Sequence, residues 1–275
     1  MKNKEFKVIK TIDATTHTWA NTTIPIGSIV KQVPDTKNSI NPLIGIVAQS
    51  DTIEGLLVMP YEFLTPLFDY KKTILLLHGF NSAPGNKEKI IKEWLNANNL
   101  ASNFNLIAPQ LNNSPHEAIK QISEIIQENY GNIYVMGTSL GGFYATYVRS
   151  LNQSDAIKVY AINPSWSPGT TLSQEVKKPQ ENYKTGVKWQ FSASYLNDLA
   201  QFEKEAKSKL KKYKGAHYSL HLANLDECLD FSELLAYLDD NKIPNKTLYY
   251  NTNHRFEKVL EMLDNCKADL TSLIL

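Results

Sequence analysis

The segment Gly137-Thr138-Ser139-Leu140-Gly141 decides the fold, because it joins an apolar run to the start of a helical pattern. The run Ile133-Tyr134-Val135-Met136 is typical of a buried strand, and Gly142-Phe143-Tyr144-Ala145-Thr146-Tyr147-Val148 opens a helix. A serine on a sharp strand-to-helix turn, with a glycine two residues to either side, is the arrangement that exposes a nucleophilic hydroxyl. The glycines are required because the strained turn brings backbone too close for a Cβ atom. We therefore expect a nucleophile at Ser139, and loss of the site with bulkier residues at 137 or 141.

A second glycine-bearing loop follows an earlier apolar run. Thr73-Ile74-Leu75-Leu76-Leu77 shows no alternation, as expected of a parallel strand covered on both faces, and it ends in His78-Gly79-Phe80-Asn81-Ser82-Ala83-Pro84-Gly85. In α/β serine hydrolases such a loop supplies one oxyanion N–H, and the residue after the nucleophile supplies the other. The predicted donors are the backbone N–H groups of Phe80 and Leu140. We interpret His78 as a histidine whose hydrogen bonds hold this loop, in preference to a proton-transfer role, and place it beside the substrate pocket.

The candidate base is a histidine near the carboxyl end of the chain. A serine hydroxyl is a weak nucleophile until a base takes its proton, and imidazole, with an ordinary pKa of ~6.5, suits that task. In this class of hydrolase the chain order is serine, acid, histidine, with the histidine on a loop after the last strand. His254 fits, because it follows the strand-like run Thr247-Leu248-Tyr249-Tyr250. His217 and His221 lie within a strand pattern, and we interpret them as structural or surface residues.

The candidate acid lies in the loop that follows the preceding strand, His217-Tyr218-Ser219-Leu220-His221-Leu222-Ala223. Asp226 comes first after this strand, where a carboxylate could reach His254 and hold its tautomer. Asp230 ranks second and Glu227 third. Both have a simpler interpretation, because acidic side chains near the start of a helix interact favourably with its dipole.

The rest of the chain from residue 71 alternates strand and helix patterns, apart from one insertion. Alternation of this kind predicts a mostly parallel sheet with helices on both faces, whose ligands bind at the carboxyl ends of the strands. The alternation lapses at about residues 164–215, where an insertion typically forms a lid or a wall of the pocket. Its aromatic side chains either line that pocket, with Trp166 the first candidate, or pack a small core of their own: Trp166, Tyr183, Trp189, Phe191 and Tyr195.

Net charge, cysteine spacing and the lack of long apolar segments argue against several classes of partner and location. The 275 residues carry 29 basic and 28 acidic side chains, and the net charge of +1 gives no reason to expect nucleic acid or an anionic membrane as a partner. The two cysteines, Cys228 and Cys266, have no paired spacing and no neighbouring metal-ligand pattern, so we expect no metal site and a reducing compartment. The first ten residues lack an apolar signal core, and no stretch approaches ~18 uncharged apolar residues. These features together predict a cytoplasmic protein.

Six motifs occur in sequence order between residues 77 and 256. They are Leu77-His78-Gly79-Phe80-Asn81-Ser82, Pro109-Gln110-Leu111, Gly137 to Thr146, Asn163-Pro164, Asp226-Glu227-Cys228-Leu229-Asp230 and Asn253-His254-Arg255-Phe256. Together they resemble the YqiA-like bacterial esterases of the α/β-hydrolase superfamily, over about residues 73–275. The resemblance implies hydrolysis of small-molecule carboxylic esters without a cofactor, with short acyl chains preferred, and it places a triad on Ser139, Asp226 and His254.

Two other functions remain open at this point. One keeps the triad but acts on thioesters or peptides. The other is a non-catalytic binding protein on a hydrolase scaffold.

The first 70 residues lie outside the resemblance. Three short strand-like runs with turn residues between them, at 26–33, 42–48 and 55–60, predict a small SH3-like β-barrel or meander. Such a module either recruits a protein partner or packs as a purely structural unit. We therefore divide the chain into a small β module, residues 1–70, and an α/β-hydrolase domain, residues 71–275.

Overall fold

The computed structural model describes residues 71–129, 133–152 and 154–272 in full, and describes strands alone between residues 5 and 66. Five of those strands form an antiparallel sheet in the order β6-β5-β4-β1-β7, and the other two pair with each other. Consecutive strands β4, β5 and β6 are neighbours, which is a meander, and they overlap the three predicted runs. The strands are β1 (Glu5–Val8), β2 (Ile12–Asp13), β3 (Thr23–Ile24), β4 (Ile29–Gln32), β5 (Gly45–Ser50), β6 (Ile53–Pro60) and β7 (Leu64–Pro66).

The larger sheet confirms the predicted parallel architecture. Its six strands are all parallel and lie in the order β15-β14-β11-β10-β8-β9. A separate hairpin, β12-β13, belongs to the insertion. The strands are β8 (Lys72–Leu77), β9 (Phe104–Ile107), β10 (Ile133–Thr138), β11 (Ile157–Ile162), β12 (Pro179–Glu181), β13 (Lys188–Gln190), β14 (Tyr218–Ala223) and β15 (Lys246–Tyr250).

Helices cover both faces of this sheet. Among the residues described, no helix has the combination of length and apolar character that crossing a bilayer needs. The helices are α1 (Asn86–Ala97), α2 (Pro115–Asn129), α3 (Leu140–Leu151), α4 (Pro168–Thr171), α5 (Ala193–Leu210), α6 (Ser232–Asp240) and α7 (Val259–Thr271).

Two hydrophobic cores explain why the central strands have no polar alternation. Leu75 and Val135 point to one face, where they pack with side chains of α2, α3, α5 and α6. Ile74 and Tyr134, one residue earlier on the same strands, point to the other face and pack with α1 and α7. Because successive side chains of a strand alternate between faces, covering both faces makes every position apolar.

The strand order creates one crevice at the carboxyl ends of β8 and β10. The chain leaves β8 towards the sheet edge at β9, whereas it leaves β10 in the opposite direction, towards β11. Loops that leave adjacent strands in opposite directions separate, and ligands of α/β sheets bind in the gap between them. The loop at 78–85 and the turn at Ser139 therefore flank the same crevice.

A buried histidine lies within β14. His221 is fully buried, its Nδ1 lies 2.9 Å from the Tyr250 hydroxyl, and its Nε2 lies 3.7 Å from Cys266 Sγ. Burial, and to a smaller extent the charge of Lys246, lowers the pKa of His221 to about 3. The ring is therefore neutral, which agrees with the structural interpretation of this residue.

We predict that His221 makes the fold sensitive to mild acid. Its folded pKa lies below the unfolded value of ~6.5, so its contribution is present above that value and is lost as pH falls towards 3, by up to about 1.4 kcal/mol per pH unit. The His221→Gln variant should show a flatter dependence of the free energy of unfolding on pH between about 6.5 and 4.5. Urea unfolding at several pH values measures this slope, and equal slopes for the two proteins contradict the prediction.

Candidate active site

Ser139 occupies a strained turn between β10 and α3. Its backbone has φ 56° and ψ −117°, and a positive φ is uncommon for residues other than glycine. Three backbone hydrogen bonds hold it: its N–H donates to Ile162 O (3.0 Å), and its carbonyl accepts from the N–H groups of Phe143 (3.0 Å) and Ser165 (3.1 Å). The serine is thereby fixed at the crevice end of the strand.

The glycines around Ser139 have the steric role expected from the sequence. A Cβ atom on Gly137 would lie 2.0 Å from Gly141 O, and one on Gly141 would lie 2.4 Å from Leu77 O. A Cβ on Gly142 would lie 2.9 Å from Pro164 Cα. The atoms met are backbone atoms, which cannot rotate away, so the turn tolerates no side chain at these positions.

The structure brings Ser139, His254 and Asp226 together from three separate loops. His254 Nε2 lies 3.2 Å from Ser139 Oγ, and its Nδ1 lies 2.7 Å from Asp226 Oδ2. The Asp226 side chain is 2% exposed, and that of His254 is 21% exposed. Since a carboxylate only accepts, this network assigns the ring proton to Nδ1 and leaves the Nε2 lone pair facing the serine hydroxyl.

Among the three carboxylates considered from the sequence, Asp226 is the one paired with the histidine ring. Its other oxygen, Oδ1, accepts from the N–H groups of Cys228 and Leu229, both at 2.8 Å. Asp230 instead accepts from the N–H of Ser232 at the start of α6, and this bond holds the pKa of Asp230 below its usual range. The helix-start interpretation therefore fits Asp230.

Two further residues hold the main chain of His254. Glu227 Oε2 accepts from the His254 N–H at 3.0 Å, and Asn163 Nδ2 donates to the His254 carbonyl at 3.1 Å. The bond from His254 also holds the pKa of Glu227 below its usual range. Asn163 is fully buried and, through Oδ1, accepts from Ala223 N at 2.7 Å, which ties the histidine loop to β14.

The sequence patterns predict this role for neither residue. Asn163 stands in one of the family motifs, and Glu227 ranks third as the acid, with a helix-start role as its simpler interpretation. Their position in the sequence could have indicated this role, because each polar side chain follows closely on a strand that ends at the crevice.

The predicted oxyanion loop passes directly over the serine. A Cβ atom on Gly79 would lie 3.2 Å from Ser139 Cβ, so glycine is what allows this approach. Leu140 is the first residue of α3, where backbone N–H groups have no partner within the helix and favour negative charge. The Phe80 ring packs edge-on against Trp189 and Phe191, with centroids 5.6 and 5.5 Å apart.

The insertion holds this loop in place through polar contacts. Asn81 has a left-handed backbone, its Nδ2 donates to Gln180 Oε1 (2.6 Å), and its Oδ1 accepts from Trp189 Nε1 (2.7 Å). Its carbonyl accepts from Tyr183 N (2.9 Å), and Asn182 Nδ2 donates to the Ser82 carbonyl (2.7 Å). The β12-β13 hairpin therefore supports the loop that carries Phe80.

His78 makes contacts that suit a structural residue. Its Nε2 accepts from the Leu111 N–H at 3.0 Å, so the proton is on Nδ1, which lies 2.9 Å from the Gly79 carbonyl. Burial lowers the pKa of His78. A neutral ring with both nitrogens engaged holds two loops together, in line with the interpretation favoured from the sequence, and a place beside the substrate pocket stays a prediction.

The aromatic residues of the insertion divide between core and surface. Trp166 and Phe191 are buried in the main core, while Tyr183 is 77% exposed. The Trp166 ring packs against Tyr237, 5.0 Å between centroids, with Lys207 Nζ 5.1 Å away. Packing thus accounts for Trp166, and its part in a substrate pocket stays a prediction.

A cleft of about 570 Å³ lies between α2 and the β12-β13 hairpin. Neither Ser139 nor His254 is among the residues that line it. Its walls include Gln110, Asn112, Glu117, Lys120, Asn182 and Trp189.

The fold and this arrangement of side chains are those of the α/β-hydrolase class. A model of the family described as "Uncharacterised protein family (UPF0227)" matches residues 73–270, which is well over half of the chain. The chain belongs to this family, and the resemblance to the YqiA-like esterases is confirmed.

Solved structures show the same fold at low sequence identity. A monoacylglycerol lipase from Paleococcus ferrophilus is 17% identical, with a TM-score of 0.57 over 72% of this chain and 93% of that one. Est1E from Butyrivibrio proteoclasticus is 13% identical, with a TM-score of 0.56 over 74% and 88%. An S-formylglutathione hydrolase from Staphylococcus aureus is 12% identical, with a TM-score of 0.50 over 97% and 98%.

We predict that Gly141→Ala destabilises the protein severely. The new methyl group meets the Leu77 carbonyl, and overpacking against backbone costs about 3 kcal/mol or more. Gly186→Ala is the matched control, because that glycine has open space around it and loses only about 1 kcal/mol to its left-handed φ of 69°. Thermal unfolding compares the two, and similar melting temperatures contradict the steric argument.

We also predict that Glu227→Ala lowers kcat of the hydrolase by about threefold to tenfold with little change in KM, because a misplaced base affects the reaction more than substrate binding. Glu227→Gln should restore most of the rate, since its amide oxygen can still accept from the His254 N–H. Steady-state kinetics of both variants test this. A loss confined to KM, or equal losses in both variants, contradicts the positioning role.

Proposed function

We propose that this protein is a serine esterase that cleaves carboxylic esters through Ser139, His254 and Asp226. One observation carries the proposal: the continuous contact from the Ser139 hydroxyl through the His254 ring to the Asp226 carboxylate, at 3.2 and 2.7 Å. These distances are in the range in which a base can take a proton from a nucleophile. Membership of the family supports the same class of reaction.

The first half of the reaction forms an acyl-enzyme. Ser139 Oγ attacks the ester carbonyl while His254 Nε2 takes its proton, and the carbonyl oxygen becomes an oxyanion. The backbone N–H groups of Phe80 and Leu140 donate to that oxyanion. The tetrahedral intermediate collapses as His254 returns the proton to the alkoxide, the alcohol leaves, and the acyl group stays on Ser139.

The second half releases the acid. His254 takes a proton from water, the resulting hydroxide attacks the acyl carbonyl, and Ser139 leaves with the proton that His254 gives back. Asp226 holds the ring orientation and stabilises the imidazolium in both halves. Its burial keeps this carboxylate away from competing water, which strengthens the interaction.

The proposal also covers the size of the ester and the length of its acyl chain. A preference for small esters with short acyl chains rests on the family resemblance. We also propose a cytoplasmic location for the protein and a protein partner for the module at residues 1–70. The N-terminal side chains lie outside the described residues.

We predict that Ser139→Ala lowers the rate of p-nitrophenyl acetate hydrolysis by roughly 10⁴-fold or more, because the nucleophile is lost while the fold is kept. It should also abolish labelling by a fluorophosphonate probe. Ser150→Ala is the matched control, since this buried serine lies on α3, the helix that follows Ser139, and its hydroxyl donates to the Tyr147 carbonyl. Unchanged hydrolysis in Ser139→Ala would end the proposal.

Hydrolysis and labelling assays also separate esterase activity from the two alternatives, which are thioesterase or peptidase activity and a non-catalytic binding role. Matched oxyester, thioester and amide substrates with one acyl group should give the highest kcat/KM for the oxyester. A higher value for the thioester or amide favours that activity instead. Lack of labelling in folded protein favours a binding role.

A further inference from the structure

A thiol lies beside the His254–Asp226 pair. Cys228 follows Asp226 by two residues, and its N–H donates to Asp226 Oδ1, which forms a tight turn. The cysteine is exposed, and one ligand atom from each of Asp226, Cys228 and His254 lies within 4.8 Å of the other two. Carboxylate, thiol and imidazole therefore converge on one small volume.

The surroundings of this volume are negatively charged. Glu227 reaches the main chain of His254, so a second carboxylate is present on the same loop. Asp226 and Glu227 directly precede Cys228 in this turn, so both carboxylates lie on the loop that carries the sulfur. A cation that binds here gains attraction from both carboxylates.

The donor set selects the kind of cation. A thiolate and an imidazole are the ligands of zinc sites, whereas Mg²⁺ and Ca²⁺ prefer oxygen ligands throughout. Zn²⁺ bonds of about 2.0–2.3 Å require ligand atoms about 3.3–3.8 Å apart in a tetrahedral site. Rotation of the exposed Cys228 side chain brings its sulfur, which lies within 4.8 Å of the other two ligand atoms, into this range. Where His254 Nδ1 and Asp226 Oδ2 are the other ligands, their 2.7 Å contact widens to the same spacing.

We propose that Asp226, Cys228 and His254 form a binding site for Zn²⁺ or a similar soft divalent cation, and that the bound ion inhibits the enzyme. The ion binds the Cys228 sulfur, a ring nitrogen of His254 and an Asp226 oxygen, with water in the fourth position. The thiol proton passes to solvent. The binding claim stands on the geometry alone, while the inhibition claim rests on the proposed function.

Inhibition follows from the chemistry of the imidazole ring. If the ion binds Nε2, it occupies the lone pair that faces Ser139. If it binds Nδ1, the single proton of the neutral ring moves to Nε2, and that lone pair is lost as well. In both cases His254 cannot take the serine proton, and when the ion binds Nδ1 the hydrogen bond from Nδ1 to Asp226 is lost as well.

The first test measures binding without any reference to activity. Metal-free protein is titrated with Co²⁺, and a thiolate-to-cobalt charge-transfer band in the near ultraviolet is expected. Cys228→Ser should abolish the band, while Cys266→Ala, which removes the other, buried thiol, should leave it unchanged. A band of equal intensity in Cys228→Ser, or no band in the wild type, overturns the proposal.

The second test measures inhibition of p-nitrophenyl acetate hydrolysis by Zn²⁺. We expect Cys228→Ser to keep the metal-free rate and to need at least tenfold more Zn²⁺ for half-inhibition. EDTA should restore the wild-type rate, and Mg²⁺ should have no effect. Equal half-inhibition of both proteins overturns the inhibitory role. A cobalt band in a protein without esterase activity supports the metal site and refutes only the proposed function.

Discussion

The close approach of backbone to backbone around Ser139 is the constraint on which the site depends. Gly137, Gly141 and Gly79 leave room for three chain segments to meet within contact distance of the serine. That meeting holds Ser139 at a positive φ and keeps its hydroxyl at the crevice end of β10. Strain at one residue persists because the packing and three backbone hydrogen bonds around it resist relaxation.

Side chains outside the Ser139–His254–Asp226 contacts hold the remaining parts of the site. Asn163 and Glu227 fix the main chain of His254, while Asn81 and His78 fix the loop at residues 78–85. Contacts of this kind set the position of a loop without taking part in proton transfer. A reaction that needs distances near 3 Å requires such support, because the reacting side chains come from different strands.

The proposed base and the proposed metal ligand are the same imidazole, that of His254, and the two roles exclude each other. Its arrangement with Ser139 needs a free lone pair on one nitrogen and a proton on the other. The nearby thiol of Cys228, together with Asp226, offers the same ring to a soft cation. Both proposals therefore rest on the same close approach of Asp226 to His254.

The sequence alone determined the features that depend on local pattern. The turn at Ser139 was predictable because its glycine spacing is a steric requirement of a few adjacent residues. The parallel sheet was predictable because strands such as β8 and β10 are apolar at every position when both faces are covered. The pairing of Asp226 with His254 was expected from the order of strands. The sequence contains no contacts, however, that could exclude Asp230 and Glu227 as the acid.

Only the tertiary structure decided which residues meet across the crevice. Asn163 contacts His254 across 91 positions, and the Trp189 indole contacts Asn81 across 108. No periodicity or spacing records such contacts, because they depend on where loops end after strands β11, β13 and β15 have packed. For the same reason the spacing of Cys228 and His254 in the sequence does not reveal that they lie near each other: they come together only when β14 and β15 pair in the sheet.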